Sequence, residues 1–92
     1  MAMLFPVNGN PIAVKPANST NFTIEELREL IGGYVEYLTL DNGEIAIFDE
    51  EGGADLKNLP YNSSGSRYVN KHLKYYIFLL GPVLICKKEQ FK

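Results

Sequence analysis

One stretch in the middle of the chain shows the helical spacing of apolar residues. Its large apolar side chains fall on one helical face: Ile24, Leu27, Leu30 and Ile31. Thr23 stands at the N-cap position and Glu26 follows three residues later, which is the pattern of a capping box. Gly32-Gly33 comes next, and a residue without a β-carbon readily ends a helix. We therefore predict a helix with its caps over residues 22–33.

The pattern then changes, over residues 34–49, to the alternation of two β-strands joined at Asn42-Gly43. This dipeptide favours a two-residue type I′ turn, and the turn fixes the pairing register. In that register Leu38 lies on the side that packs against the helix. Tyr37 faces Phe48 on the other side, which stays half apolar. We predict that another layer of the fold, a ligand or another protein chain covers Tyr37 and Phe48.

The N-terminal residues 1–16 predict a second hairpin. Two apolar runs flank Asn8-Gly9-Asn10, a strong hairpin signal. Pro6, Pro11 and Pro16 cannot donate ladder hydrogen bonds. Both strands are therefore predicted at the edge of a sheet, where the prolines also hinder unwanted pairing.

The C-terminal residues 66–87 are predicted to hold a helix and strands. A short helix over 66–74 followed by a strand over 75–80 fits the spacing, and a continued helix is the alternative. The run "PVLICKK" predicts a final strand at the centre of the sheet. The chain is thus predicted to be one α+β domain. It has a small, mostly antiparallel sheet of four to five strands, one main helix on one face, and an optional second short helix.

Composition and charge narrow the classes of function. The 92 residues carry a formal net charge of −2, which argues against a nucleic-acid binder, and most of the basic residues lie after residue 56. The lone Cys86 cannot form an internal disulfide or a cysteine-built metal site. No signal peptide or membrane-spanning run is visible, so a cytoplasmic protein without membrane contact is expected. A core this small also favours a homo-oligomer.

The ionisable residues offer weak candidates for catalysis. In the predicted register Glu36 lies opposite Asp49, and two close carboxylates could bind a divalent ion or share a proton. A solvated acidic hairpin end is the preferred interpretation. His72 lacks a neighbouring nucleophile motif, and an apolar strand raises the pKa of Cys86. We predict no catalytic residue, no metal and no cofactor.

The most site-like stretch is "LKNLPYNSSGSRY". Asn58 and Asn62 supply hydrogen-bonding amides, and Arg67 can contact a phosphate or carboxylate through two bonds. Tyr61 and Tyr68 add flat surfaces for stacking. We predict a ligand or partner site here, although asparagine in a loop also commonly closes its own turn.

Several segments together resemble a known protein family. They are "ELRELIGGYVEYLTL", the acidic "FDEEG", "LPYN" around Asn62, and "LLGPVLICK". In this order they resemble the family catalogued as domain of unknown function 3846, common in bacteriophages and mobile elements, over about residues 24–87. Members typically continue after the asparagine with a basic residue, where this chain has "SSGSRY", with Arg67 as the nearest substitute. The resemblance implies a phage or prophage origin and a small α+β domain, and it implies no activity.

Three functions remain as hypotheses. The first is a non-enzymatic phage protein that binds a host component stoichiometrically, including one that blunts host defence. The second is an oligomer that sequesters a small nucleotide-like signalling ligand through Tyr61, Asn62 and Arg67. The third is a hydrolase that uses Glu36 and Asp49.

Overall fold

A computed structural model describes residues 2–51 and 58–91 of the chain. The elements are β1 (Ala2–Phe5), β2 (Ile12–Val14), α1 (Ile24–Ile31), β3 (Val35–Thr39), β4 (Ile45–Asp49), α2 (Ser63–Lys71), β5 (Val83–Cys86) and α3 (Lys88–Phe91). The five strands form one antiparallel sheet in the order β2-β1-β5-β4-β3. The α+β fold class is therefore confirmed. No helix in the described residues is long and apolar enough to cross a bilayer.

Local sequence signals place α1, as predicted. The Thr23 hydroxyl accepts a hydrogen bond from the Glu26 N–H, and the Glu26 carboxylate accepts one from the Thr23 N–H at 2.9 Å. This reciprocal pair satisfies two N–H groups that a helix start otherwise leaves free. Gly32 ends the helix in the left-handed conformation, with a φ of 93°. Leu27 and Ile31 are buried against the sheet.

The β3–β4 register differs from the prediction by one residue. Tyr37 pairs with Ile47, not Phe48. The Gly43 N–H donates to the Leu40 carbonyl, and Gly43 has a φ of 89°. No other residue of the turn has a positive φ, so the connection is a three-residue loop that ends in a left-handed glycine, not a type I′ turn.

This register moves the side chains of β3 to the opposite face from the one predicted, whereas those of β4 lie on the predicted faces. Ile45 and Ile47 face α1, whereas Leu38, Ala46 and Phe48 lie on the other face of the sheet. Period-2 alternation makes this unavoidable, since a slip of one residue inverts one strand relative to its partner. Tyr37 and Phe48 are therefore on opposite faces, and the prediction of one shared half-apolar side was wrong.

The N-terminal hairpin forms, but only one of its strands is an edge strand. β1 pairs with β2 on one side and with β5 on the other. Pro6 follows β1, and Pro11 precedes β2, so no proline interrupts the ladder. The prediction that both strands lie at an edge was wrong for β1, because its residues are free to donate on both sides.

β5 is the central strand, as predicted. It is third of five in the sheet, and all four of its residues are buried. Leu84 and Cys86 face the cluster beneath α1, while Val83 and Ile85 face the cluster beneath α2. The sheet is therefore covered by a helix on each face, and a strand buried on both faces reads as a continuous apolar run.

The C-terminal region departs most from the prediction. α2 begins at Ser63 and ends at Lys71, earlier than the predicted 66–74. Residues 75–80 form neither a sheet strand nor a helix, apart from a single bridge between Tyr61 and Leu80. The short α3 after β5 had not been predicted. Part of the predicted polar loop, residues 52–57, lies outside the described residues.

Candidate functional site

Asn62 joins three parts of the fold and has a structural role. It caps α2, because its side-chain oxygen accepts a hydrogen bond from the Gly65 N–H at 2.8 Å. Its side-chain nitrogen donates to the Phe5 carbonyl at the end of β1 (2.8 Å) and to the Gly81 carbonyl before β5 (2.9 Å). The residue is 0% exposed. Asn62 is therefore not placed to contact a ligand, contrary to the prediction.

A polar stripe along α2 binds the backbone of residues 75–80. The Asn62 N–H donates to the Leu79 carbonyl, and the Ser66 hydroxyl accepts from the Leu79 N–H, both at 2.9 Å. One turn later the Asn70 amide holds both backbone groups of Ile77, again at 2.9 Å. The Asn62 N–H and the side chains of Ser66 and Asn70 thus take the place of a neighbouring strand as hydrogen-bonding partners of the segment.

The spacing of this stripe matches an extended chain. The side chains of Asn62, Ser66 and Asn70, four residues apart, bind the backbone of residues 81, 79 and 77 in turn, and four helical residues rise about 6 Å. Two residues of an extended strand cover about 6.6 Å, which is the step from Leu79 to Ile77. The strand-like residues 75–80 can therefore satisfy their backbone against a helix, which explains why a strand pattern does not join the sheet here.

Because residues 75–80 bind to α2 through their backbone, alternate side chains of this segment point outwards. Leu79 is buried and Ile77 half-buried, whereas Tyr76 is 67% and Phe78 71% exposed. Phe78 lies edge-on to Tyr61 and Tyr76, with ring centroids 5.7 and 5.3 Å apart. A hydrogen bond with Tyr61 raises the pKa of the Tyr76 hydroxyl. We call the exposed rings of Tyr61, Tyr76 and Phe78 the aromatic ridge.

A basic cleft runs along one side of the aromatic ridge. It has a volume of about 400 Å³ and is lined by Tyr61, Ser63, Arg67, Asn70, Lys71 and Tyr76. Arg67 and Lys71 are four residues apart on α2, so both cations project to the same side of the helix. Two cations beside two tyrosine rings suit a ligand that carries both negative charge and a flat ring.

An apolar cleft of about 320 Å³ lies beside the same segment. It is lined by Glu36, Tyr37, Leu38, Phe48, Tyr75, Ile77, Phe78 and Leu79. Phe48 thus reaches the neighbourhood of the ridge, and Tyr37 borders this cleft from the edge of the sheet.

The aromatic rings of residues 75–80 had not been predicted as site residues. Their signal in the sequence was the strand-like "YYIF", which could not show that the segment would stay outside the sheet.

The remaining predicted residues lie apart from the cleft. Tyr68 donates a hydrogen bond to the Glu44 carboxylate and packs against the ring of Phe5, with centroids 5.3 Å apart. Asn58 is exposed with a positive φ of 41°. Of the seven predicted residues, only Tyr61 and Arg67 line the basic cleft.

The candidate catalytic groups do not assemble. Glu36 pairs with Phe48 across the hairpin, so its side chain is on the opposite face from that of Asp49. Asp49 is buried and accepts a hydrogen bond from the Glu51 N–H at 2.7 Å. The His72 ring packs against Tyr68, with centroids 5.1 Å apart. Within residues 2–51 and 58–91, no three His, Cys, Asp or Glu side chains are grouped so as to hold a metal.

Two proton donors with raised pKa values, the buried Cys86 and the half-buried Tyr68, predict that the stability of the protein falls at alkaline pH. Burial raises the pKa of the Cys86 thiol from 9.0 to about 11, and the hydrogen bond to Glu44 raises the pKa of Tyr68. A group whose pKa is higher in the folded than in the unfolded state stabilises the folded protein. This contribution is complete below the pKa of the unfolded state, and it is lost as the pH rises through the pKa of the folded state. The free energy of unfolding should therefore decrease from pH 9 to pH 11.

Denaturant unfolding at pH 8 and near pH 11 measures this effect. Cys86→Ala and Tyr68→Phe each remove one titrating group, so each variant should lose less stability than the unsubstituted protein over the same interval. Tyr34→Phe removes an exposed phenol and is the control. An equal loss in all four proteins would contradict the prediction.

Comparison with known proteins places the chain in a family. The family model described as "Domain of unknown function (DUF3846)" matches residues 3–91, so the chain belongs to this family. The predicted resemblance to that family is confirmed. No curated protein and no solved structure matches the chain.

Proposed function

We propose that this member of the DUF3846 family is a non-enzymatic binding protein that acts stoichiometrically on a host protein. In this proposal the protein is encoded by a phage or mobile element, works in the host cytoplasm and counters a host defence. The observation that carries the proposal is the aromatic ridge, in which Phe78 is 71% exposed between two tyrosines.

The ridge has the composition of a binding hot spot. Exposed aromatic residues beside arginine are typical of the energetically dominant part of protein interfaces. The backbone that carries Phe78 is also held in place, since the Asn70 amide binds the backbone of Ile77 and the Ser66 hydroxyl that of Leu79. A backbone that is already fixed has less conformational freedom to lose on binding. Arg67 and Lys71 border it and favour an acidic partner surface.

Capture from host lysate with quantified stoichiometry tests the proposal. We expect the unsubstituted protein to retain one host protein in a saturable, equimolar complex. Phe78→Asp should reduce retention at least tenfold, because truncating a hot-spot ring costs about 2 kcal/mol or more. Tyr34→Asp, which changes an aromatic residue of 59% exposure away from the ridge, is the matched control. Equal retention by both variants would contradict the proposed surface.

A small nucleotide-like ligand is the second candidate, because the basic cleft places Arg67 and Lys71 beside Tyr61 and Tyr76. In this alternative an oligomer sequesters the ligand. Titration with ribonucleoside phosphates and cyclic dinucleotides tests it, and native mass spectrometry would show a bound mass that leaves on denaturation. Arg67→Ala should abolish binding and leave the fold intact, whereas Arg28→Ala, distant on α1, should bind normally. Retained binding in Arg67→Ala would exclude this cleft.

A further inference from the structure

The two edges of the sheet differ in their protection against pairing with another strand. β2 has three residues, and Pro11 and Pro16 stand close to its ends. β3 has five residues without proline or lysine, and Glu36 is its only charge. Short strands, prolines and lysines are the usual means by which proteins block an edge. The β3 edge lacks all of these.

Every second residue of β3 has backbone N–H and C=O groups that are placed to bond to an additional strand. The Leu40 N–H donates to the Glu44 carbonyl, and the Glu50 N–H donates to the Tyr34 carbonyl. In an antiparallel ladder every second residue bonds to the same neighbour, so the even-numbered residues of β3 point to β4. Val35, Tyr37 and Thr39 direct their backbone groups away from β4. No described strand lies on that side.

We propose that β3 pairs antiparallel with β3 of a second copy of this chain, with the two-fold axis at Tyr37. This inference does not depend on the proposed function. In this register Tyr37 faces Tyr37 of the partner subunit, and Val35 faces Thr39 of the partner subunit. The outward backbone groups of all three residues then find partners, and one continuous sheet runs through both protomers.

Charge and backbone pairing together select this register over its two neighbours. With the axis at Tyr37, Glu36 lies opposite Leu38 of the partner subunit. Moving the axis to Glu36 would place two carboxylates directly opposite each other, where like charges are destabilising. Moving it to Leu38 would leave the outward backbone groups of Val35 without partners on the other strand. The strand is therefore self-complementary at one register.

The side chains at the axis suit a two-fold contact. Tyr37 is 57% exposed, and its ring lies against Phe91 of α3, with centroids 4.5 Å apart. Pairing brings the two Tyr37 rings together on the α1 side of the sheet and pairs β-branched Val35 with Thr39. Aromatic and β-branched cross-strand pairs of this kind stabilise sheets.

Disulfide trapping tests both the interface and its register. In a hydrogen-bonded antiparallel pair the Cα atoms are about 5.5 Å apart, within the range of a disulfide. Tyr37→Cys should therefore form a covalent dimer under mild oxidation. Thr39→Cys changes an exposed residue on the same face of β3, but the two copies of residue 39 would be about 14 Å apart. It should remain largely unlinked. The native Cys86 is buried and does not compete.

Sedimentation of the unsubstituted protein gives the independent measurement. We expect a concentration-dependent dimer, and Tyr37→Lys should be monomeric because it places two cations at the axis. Tyr37→Pro should also be monomeric yet folded, since the N–H that it removes has no partner in β4. A monomer at every concentration, or equal cross-linking of Tyr37→Cys and Thr39→Cys, would overturn the proposal.

Discussion

Replacing Asn62 by alanine is expected to destabilise the protein by about 3–5 kcal/mol. The substitution removes the cap of α2, which alone costs about 1 kcal/mol. It also leaves the Phe5 and Gly81 carbonyls without their hydrogen-bond donor in a buried site. A buried polar group without a partner costs about 1–3 kcal/mol. Denaturant unfolding with circular dichroism measures the change, and Asn10→Ala, at an exposed asparagine, should stay within about 0.5 kcal/mol of the original.

Asn62→Asp separates the two contributions of this side chain. The carboxylate still accepts a hydrogen bond from the Gly65 N–H, so the cap is kept. It cannot donate to the two carbonyls, and it places negative charge against them. We therefore expect Asn62→Asp to be strongly destabilised as well. If Asn62→Asp were as stable as the unsubstituted protein, the links from α2 to β1 and to the start of β5 would contribute nothing.

Gly81→Ala is expected to cost about 1.5–3 kcal/mol, somewhat more than Gly32→Ala, although both glycines have left-handed backbones. The φ values are 81° and 93°, so the conformational cost to alanine is similar, about 1–2 kcal/mol. A β-carbon at Gly32 meets nothing within 4 Å, whereas one at Gly81 comes within 2.6 Å of Cδ1 at the end of the half-buried Leu59 side chain, which must change its rotamer. The difference between the two variants therefore isolates the packing cost.

A double-mutant cycle with Leu59→Ala tests the cause. Removing the Leu59 side chain beyond its β-carbon should relieve the contact, so Gly81→Ala should cost less in the Leu59→Ala background. Residues in contact typically show coupling of about 0.5–3 kcal/mol. Thermal or denaturant unfolding of the four proteins gives the coupling. Equal costs for Gly32→Ala and Gly81→Ala, or zero coupling to Leu59, would contradict the explanation.

Sequence predicted the parts of the fold whose causes are local. The ends of α1 follow from Thr23, Glu26 and Gly32, all within one turn of the groups that they satisfy. The burial of β5 on both faces follows from its unbroken apolar composition. The α+β class follows because these signals fix the type and order of the main elements. For the site, sequence predicted Tyr61 and Arg67, which line the basic cleft.

The register of the β3–β4 hairpin could not be predicted from the residues around its turn. Asn42-Gly43 is compatible with both a type I′ turn and a three-residue loop ending in a left-handed glycine. Distant contacts distinguish the two. Leu38 and Leu40 pack into the cluster beneath α2, and Tyr68 of that helix donates a hydrogen bond to Glu44 beside the turn. The one-residue difference also separates Glu36 from Asp49, which removes the geometry of the predicted hydrolase.

By itself, then, the sequence determined which segments become helix or strand wherever caps, turns and apolar periods act within a few residues. Tertiary structure decided which partner each extended segment takes. Residues 75–80 have the pattern of a strand, but the Ser66 and Asn70 side chains of α2 supply their hydrogen bonds. Backbone groups require a partner of the right spacing, and a strand pattern does not specify whether a strand or a helix provides it. That choice exposes Tyr76 and Phe78 and creates the aromatic ridge.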